Sequence, residues 1–222
     1  MELSNFSKYY YAHLMDKEIK DKNFVIEDSK RKKTTVYTWN ENGTWVFNKT
    51  GDNVKLPEKD IISIEDILTE NQGKKITDKA EINIREPHKK LVYQLKDGFE
   101  VRELNENDSD AFKEFLDKCS EDDKEQGQVN VDDDLVYGVL KGNEIVSVAS
   151  YWYWGDKIAD VGVLTVPEYR GLGLIMACVS KLVDNTDKIT LWRASEDNKA
   201  SKATAKKLGF INAGSIFEIE DK

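Results

Sequence analysis

The chain has 222 residues, of which 39% are hydrophobic and 34% charged, enough apolar material for one large or two small packed domains. No apolar stretch approaches the roughly 18–20 residues that cross a bilayer, and residues 1–22 lack the basic-then-apolar order of a secretory leader, so a cytoplasmic protein with no membrane partner is expected. The net charge of −9 is uneven: residues 1–97 carry 18 basic and 17 acidic side chains, residues 98–222 carry 15 and 25, an acidic balance that argues against nucleic acid and suits a cationic partner.

The first part reads as mixed helix and strand. Phe6, Tyr10, Leu14 and Ile19 recur at helical spacing and predict a helix over residues 4–22. Strands are expected at 24–26, 34–39 and 44–47, the last two joined by a hairpin turn at 40–43. Residues 61–68 read as a short amphipathic helix with Ser63 and Asp66 at its start, and 91–95 as a strand. None of these carries a chemical motif. The turn Lys96-Asp97-Gly98 sets the expected boundary between a domain at 1–97 and one at 98–222.

Beyond it the pattern sharpens. Residues 99–104 alternate as a strand. Asp108 is expected to cap a helix over 109–119, whose Ala111, Phe112, Phe115 and Leu116 share a face. An acidic loop at 121–125 follows. Strands are predicted at 135–140, 145–154 and 158–166, a helix at 172–183, a strand at 189–193, a helix at 198–208 and a closing strand at 211–219. Cys119 and Cys178 are 59 positions apart without metal-ligand spacing, as expected of reduced thiols. His13 and His88 are isolated, so no metal site is expected.

Between the strand at 158–166 and the next helix lies a glycine-rich corner, Val163-Leu164-Thr165-Val166-Pro167-Glu168-Tyr169-Arg170-Gly171-Leu172-Gly173-Leu174. Glycines let a backbone approach a ligand closely. The free amides and dipole of a helix start attract anions, and Arg170 adds a cation. The corner therefore suits a phosphate or diphosphate, though it is neither a P-loop nor a complete dinucleotide fingerprint.

This stretch resembles the acyl-coenzyme A signature of the GNAT N-acetyltransferase superfamily: Arg or Gln, two residues, Gly, one residue, then Gly or Ala. Arg170, Gly171 and Gly173 fit it, and Ile175 stands where Gly or Ala is usual. A second block, Asn198-Lys199-Ala200-Ser201 through Lys207-Leu208-Gly209-Phe210, resembles that family's closing pattern. The resemblance spans residues 99–222. It implies an α+β fold (mixed α/β): a central, mostly antiparallel mixed sheet flanked by helices, with one splayed strand pair, beside a smaller mixed N-terminal domain. It also implies acetyl-CoA as co-substrate, its pantetheine along Leu164 and Val166, its diphosphate on the amides of Gly171, Leu172, Gly173, Leu174 and Ile175, and Asn198 touching the pantetheine arm. Asn198 also fits a helix N-cap.

Transfer to an amine needs a base, an oxyanion donor and a proton for the departing thiolate. Asp160, the one acidic residue in 158–166, is the candidate base, and an amide near Leu164 the candidate donor. Without a visible nucleophile triad, direct attack by the amine is expected. Many members of the family have a tyrosine acid where this chain has Ala205, so Ser201 or water is expected to supply that proton. Tyr151-Trp152-Tyr153-Trp154 either pack the sheet or wall an acceptor pocket. The leading expectation is an N-acetyltransferase acting on a small-molecule or protein amine. The alternatives are an acyl-CoA-binding sensor without turnover and a protein whose residues 1–97 are its main partner-binding module. Oligomeric state is not legible.

Overall fold

The computed structural model describes residues 5–15, 21–40, 43–87, 90–91 and 93–222. In chain order the elements are α1 (Phe6–Met15), β1 (Phe24–Glu27), β2 (Thr34–Trp39), β3 (Gly43–Asn48), α2 (Ile64–Glu70), β4 (Lys74–Arg85), β5 (Glu100–Glu103), α3 (Ser109–Asp117), α4 (Glu121–Gly127), β6 (Leu135–Lys141), β7 (Glu144–Trp154), β8 (Ile158–Thr165), α5 (Leu174–Asp184), β9 (Ile189–Ser195), α6 (Lys199–Lys207) and β10 (Ile211–Asp221). The fold is mixed α/β with mostly antiparallel pairing and flanking helices, as expected. Among the described residues no helix is long and apolar enough to cross a membrane.

The chain forms two compact units. One is Arg85–Trp192; the other takes the residues up to Ile84 together with Arg193–Lys222. This division differs from the boundary expected at 97 and 98, because β10 returns to pair with β2 and β4 and so joins the C-terminal residues to the N-terminal ones.

In the first unit β5, β6, β7 and β8 pair antiparallel in sequence order. β9 joins β8 in parallel only at Ile158–Asp160 opposite Ile189–Leu191. One face carries Leu104, Val136, Leu140, Val148, Leu164 and Val166, covered by Phe112 and Phe115 of α3. Helix α5 packs on β6 and β7, and its buried Cys178 donates to the Ser147 carbonyl.

In the second unit β1 pairs in parallel with β3, followed by β2, β10 and β4, all antiparallel. Val36, Val46, Phe217 and Ile219 pack with Ile64 and Ile67 of α2 on one face. Tyr37 and Trp39 meet α1 through Phe6 and Tyr10. Ser63 and Asp66 close a capping box on α2, as their spacing suggested.

Four expectations are corrected. Residues 91 and 93–95 are not a strand. The acidic stretch read as a loop is α4, capped by Ser120 with Asp123 in a capping box. Asp108 makes no side-chain cap on α3; its carboxylate instead binds Arg102 and the Asn105 amide. The twelve-residue β4 was not foreseen, because Asp78 breaks the apolar alternation of Ile76, Ala80, Ile82 and Ile84. The predicted turn at 40–43 falls partly outside the described residues, as do His88 and part of the helix expected at 4–22.

Candidate active site

The site is built on β8 and the corner that follows it. Beyond Asp160 the strand has no register with β9, while its other edge stays paired with β7 through Thr165. This is the splay that the resemblance implied. The Val166 amide donates to Val146, so residues of its parity turn their amides toward β7. The Ile189 amide donates to the Lys157 carbonyl, so the other parity faces the β9 side. The amides at the open edge are therefore those of Val161, Val163 and Thr165, and the donor expected near Leu164 is narrowed to Val163 or Thr165. Leu164 and Val166 themselves are buried in the core beneath α3.

Pro167–Tyr169 make one tight turn, and α5 then starts at Gly173 with no side chain capping it. The amides at the head of this eleven-residue helix are thus not covered by a cap. Gly171 and Gly173 both adopt positive φ, 75° and 78°, where a Cβ is strained. A Cβ on Gly171 would meet nothing within 4 Å, whereas one on Gly173 would collide with the Tyr93 hydroxyl. The corner fits a diphosphate at Gly171, where the backbone is open. At Gly173 the neighbour is a tyrosine that sequence reasoning did not single out.

Arg170 is held in place. Its Nε donates to the Thr165 carbonyl at 3.2 Å and its Nη2 pairs with Asp123 of α4 at 2.7 Å. The Ser120 hydroxyl and the Arg170 guanidinium hold the Asp123 carboxyl below the ordinary carboxylate range. The cation expected at the corner therefore already has a carboxylate partner. The signal for Asp123 was the Ser-x-x-Asp spacing of a capping box.

Asp160 is 1% exposed and lies opposite Trp152 on β7. The next residue on its face, Gly162, supports the end of α4. A Cβ there would collide with the Gln128 carbonyl and approach the Gly127 carbonyl to 2.8 Å. Gln128 holds φ of 48°, the left-handed region, which ends α4 as a C-cap. Opposite Gly162 stands Ser150, whose Oγ donates to Asp133 Oδ2 at 2.5 Å.

Asn198 and Ser201 lie in the second unit. Asn198 caps α6, accepting from the Ser201 amide at 2.9 Å, which bears out its reading as an N-cap. Ala205 is buried in the same helix. Burial pushes the Cys178 thiol up to about 12, and Cys119 is raised by the same cause, so neither is a ready nucleophile at neutral pH. Among the described residues no group of three or more His, Cys, Asp or Glu side chains is placed to hold a metal ion.

A sheet with one strand parted from its parallel neighbour, followed by a glycine corner heading a helix, is the class of fold that the resemblance to the GNAT superfamily implied. The sequence profile of the GNAT acetyltransferase family matches residues 58–216, and the chain belongs to that family. The match begins well before the turn at 96–98, so the resemblance reaches further upstream than its motifs do. An N-acetyltransferase of Bacillus subtilis, YdfB, described as uncharacterized, is 32% identical over 77 residues, 33% of this chain and 30% of the relative. A GCN5-related N-acetyltransferase of Kribbella flavida superposes with a TM-score of 0.50 at 16% identity, over 71% of this chain and 63% of that one. One from Sphaerobacter thermophilus gives 0.53 at 12% identity, over 69% and 55%. The chain thus spans less than two thirds of each of these proteins, and the two superpositions speak to fold.

Proposed function

We propose that this protein transfers an acetyl group from acetyl-CoA to a primary amine by direct attack of the amine on the thioester. The observation that carries the reading is the open edge of β8 leading into an uncapped, glycine-headed α5. An extended amide-bearing ligand pairs with such an edge, and a diphosphate is stabilised by the amides and dipole at such a helix start. The Val163 or Thr165 amide supplies the donor for the oxyanion. Water protonates the departing sulfur. A thiol of ordinary pKa near 8.5 is a tolerable leaving group at neutral pH, so an alanine at 205 does not preclude turnover. The acceptor is an amine of a small molecule or of a protein.

Ala205 favours one second reading, an acyl-CoA sensor that binds without turnover. The two separate in one experiment, in which acetyl-CoA is incubated with the protein and a panel of amines. Thiol release above the amine-free rate is expected. Acetyl-CoA that raises the melting temperature yet stays intact with every amine would establish the sensor reading. No shift at millimolar ligand would remove both, since a ligand bound to the native state must stabilise it.

A further inference from the structure

We propose that Asp133 is the catalytic base that takes the proton of the acceptor amine, with Ser150 as its positioning residue, and that the acceptor arrives as an ammonium ion. This rests on the acetyl-transfer reading above. Asp133 stands in the segment between α4 and β6. Its Oδ2 accepts from Ser150 Oγ at 2.5 Å and from the Asn130 amide at 2.9 Å. Both bonds fall on one oxygen, and Oδ1 has no bond to any described residue. The carboxylate is thus fixed in orientation with one oxygen left to accept a proton, which is the arrangement a base requires.

Its position follows from the register. Ser150 faces Gly162 across the β7–β8 pair, and Gly162 precedes Val163, whose amide faces the open edge. Hydrogen-bonded antiparallel partners stand about 5.5 Å apart and one residue step is about 3.8 Å, so the serine that holds the base lies two such steps from the oxyanion donor. Asp160 is the nearest rival on this face, but at 1% exposure it is closed to an incoming amine. Asp133 is only half-buried.

The surroundings select the acceptor's charge. The carbonyls of Gly127 and Gln128 converge on Gly162, at the negative end of α4. Asp132 and Asp134 flank Asp133, and Asp160 lies on the same face of β8. Burial, followed by these two neighbouring carboxylates, raises the Asp133 carboxyl above the ordinary range against the opposing pull of its Ser150 and Asn130 bonds. That moves it toward the pH where a base works best. Carbonyls and carboxylates together attract an ammonium ion and disfavour an anionic acceptor.

The ammonium gives one proton to Asp133 Oδ1. The freed nitrogen lone pair forms the C–N bond, and the C–S bond breaks with its electron pair on sulfur. The nitrogen's surplus proton passes through water to sulfur, and Asp133 returns its proton to solvent.

The test is the pH profile of kcat/KM for an accepted amine. Asp133→Asn is expected to lower kcat/KM by about 10²- to 10⁴-fold and to abolish the acidic limb, with acetyl-CoA affinity unchanged by calorimetry and partial rescue by Asp133→Glu. Ser150→Ala removes a donor that stabilises the carboxylate, so it is expected to move the acidic limb to higher pH; this readout stands even where Asp133→Asn does not fold. An Asp133→Asn enzyme that is active with its acidic limb intact overturns the proposal alone, as does a limb lost in Asp160→Asn and kept in Asp133→Asn. No thiol release by the unmodified protein with any amine overturns the transfer reading and this assignment with it.

Discussion

At the scale of single residues, the two corner glycines separate conformational need from space. Gly171→Ala meets only the strain of positive φ, about 1–2 kcal/mol, since its Cβ direction is open. Gly173→Ala meets that strain and the Tyr93 hydroxyl as well, and overpacking of this kind adds about 1–3 kcal/mol. In denaturant unfolding Gly173→Ala is expected to be the more damaging, and Tyr93→Ala is expected to bring its effect close to that of Gly171→Ala. Equal costs with Tyr93 present would show that the tyrosine yields freely. Asp133 makes a second residue-scale prediction. A carboxyl whose folded pKa is raised keeps its proton more readily in the folded chain than in the unfolded one. Its contribution therefore favours folding at low pH and is lost as pH rises through the raised value. Asn keeps an acceptor for Ser150 without the charge. Asp133→Asn should melt no lower than the unmodified protein at pH 7, and a clearly lower melting temperature would mean that the ionised carboxylate stabilises the fold.

At the scale of elements, α4 depends on its first turn. The Ser120 hydroxyl accepts from the Asp123 amide at 3.1 Å, and Asp123 accepts from the Ser120 amide at 3.3 Å. Asp123→Ala removes this return bond and the ion pair with Arg170, and loss of such a cap costs about 0.5–2 kcal/mol. The Asp123 carboxyl is lowered, first by Ser120 and then by Arg170. Its stabilisation is therefore present above the ordinary carboxylate value and lost as pH falls through the folded value. The stability gap between Asp123→Ala and the unmodified protein should be open at pH 7 and narrow markedly at pH 3; a gap of constant width would exclude an ionic contribution. This helix also shows where sequence reading stopped. Periodicity revealed α3 and α5 because each has an apolar face, whereas α4, Glu-Asp-Asp-Lys-Glu-Gln-Gly, has none and is announced only by its cap. β8 and its glycine corner were legible because a turn from strand to helix needs glycine locally. Asp133 was not, because its contact with Ser150 spans 17 positions and exists only once the segment after α4 lies across Gly162.

At the scale of the whole chain, the family profile covers residues 58–216, yet the second unit draws heavily on the residues before it. β10 pairs with β4 on one edge and with β2 on the other, six residues deep from Gly214 to Ile219. Val36, Val46 and Val54 pack on Phe217 and Ile219, while Tyr37, Trp39, Trp45 and Phe47 are buried on or beside the same strands. At about 1.5–3 kcal/mol for each large apolar side chain buried, these seven contribute about 10–20 kcal/mol. That equals or exceeds the whole margin of a typical domain, about 5–15 kcal/mol. Deleting residues 1–57 would remove all seven and expose the ladder of β10 as a bare edge, which invites pairing between chains. The fragment 58–222 is therefore expected to express as aggregate, or to lack a cooperative calorimetric transition for this unit, although it retains every residue of the family match. A monomeric 58–222 fragment that unfolds cooperatively near the melting temperature of the full chain would show that pairing with β4 is enough to hold β10. Residues 1–57 would then be an appendage to the family fold. On the pairing and burial described, they are a structural part of it.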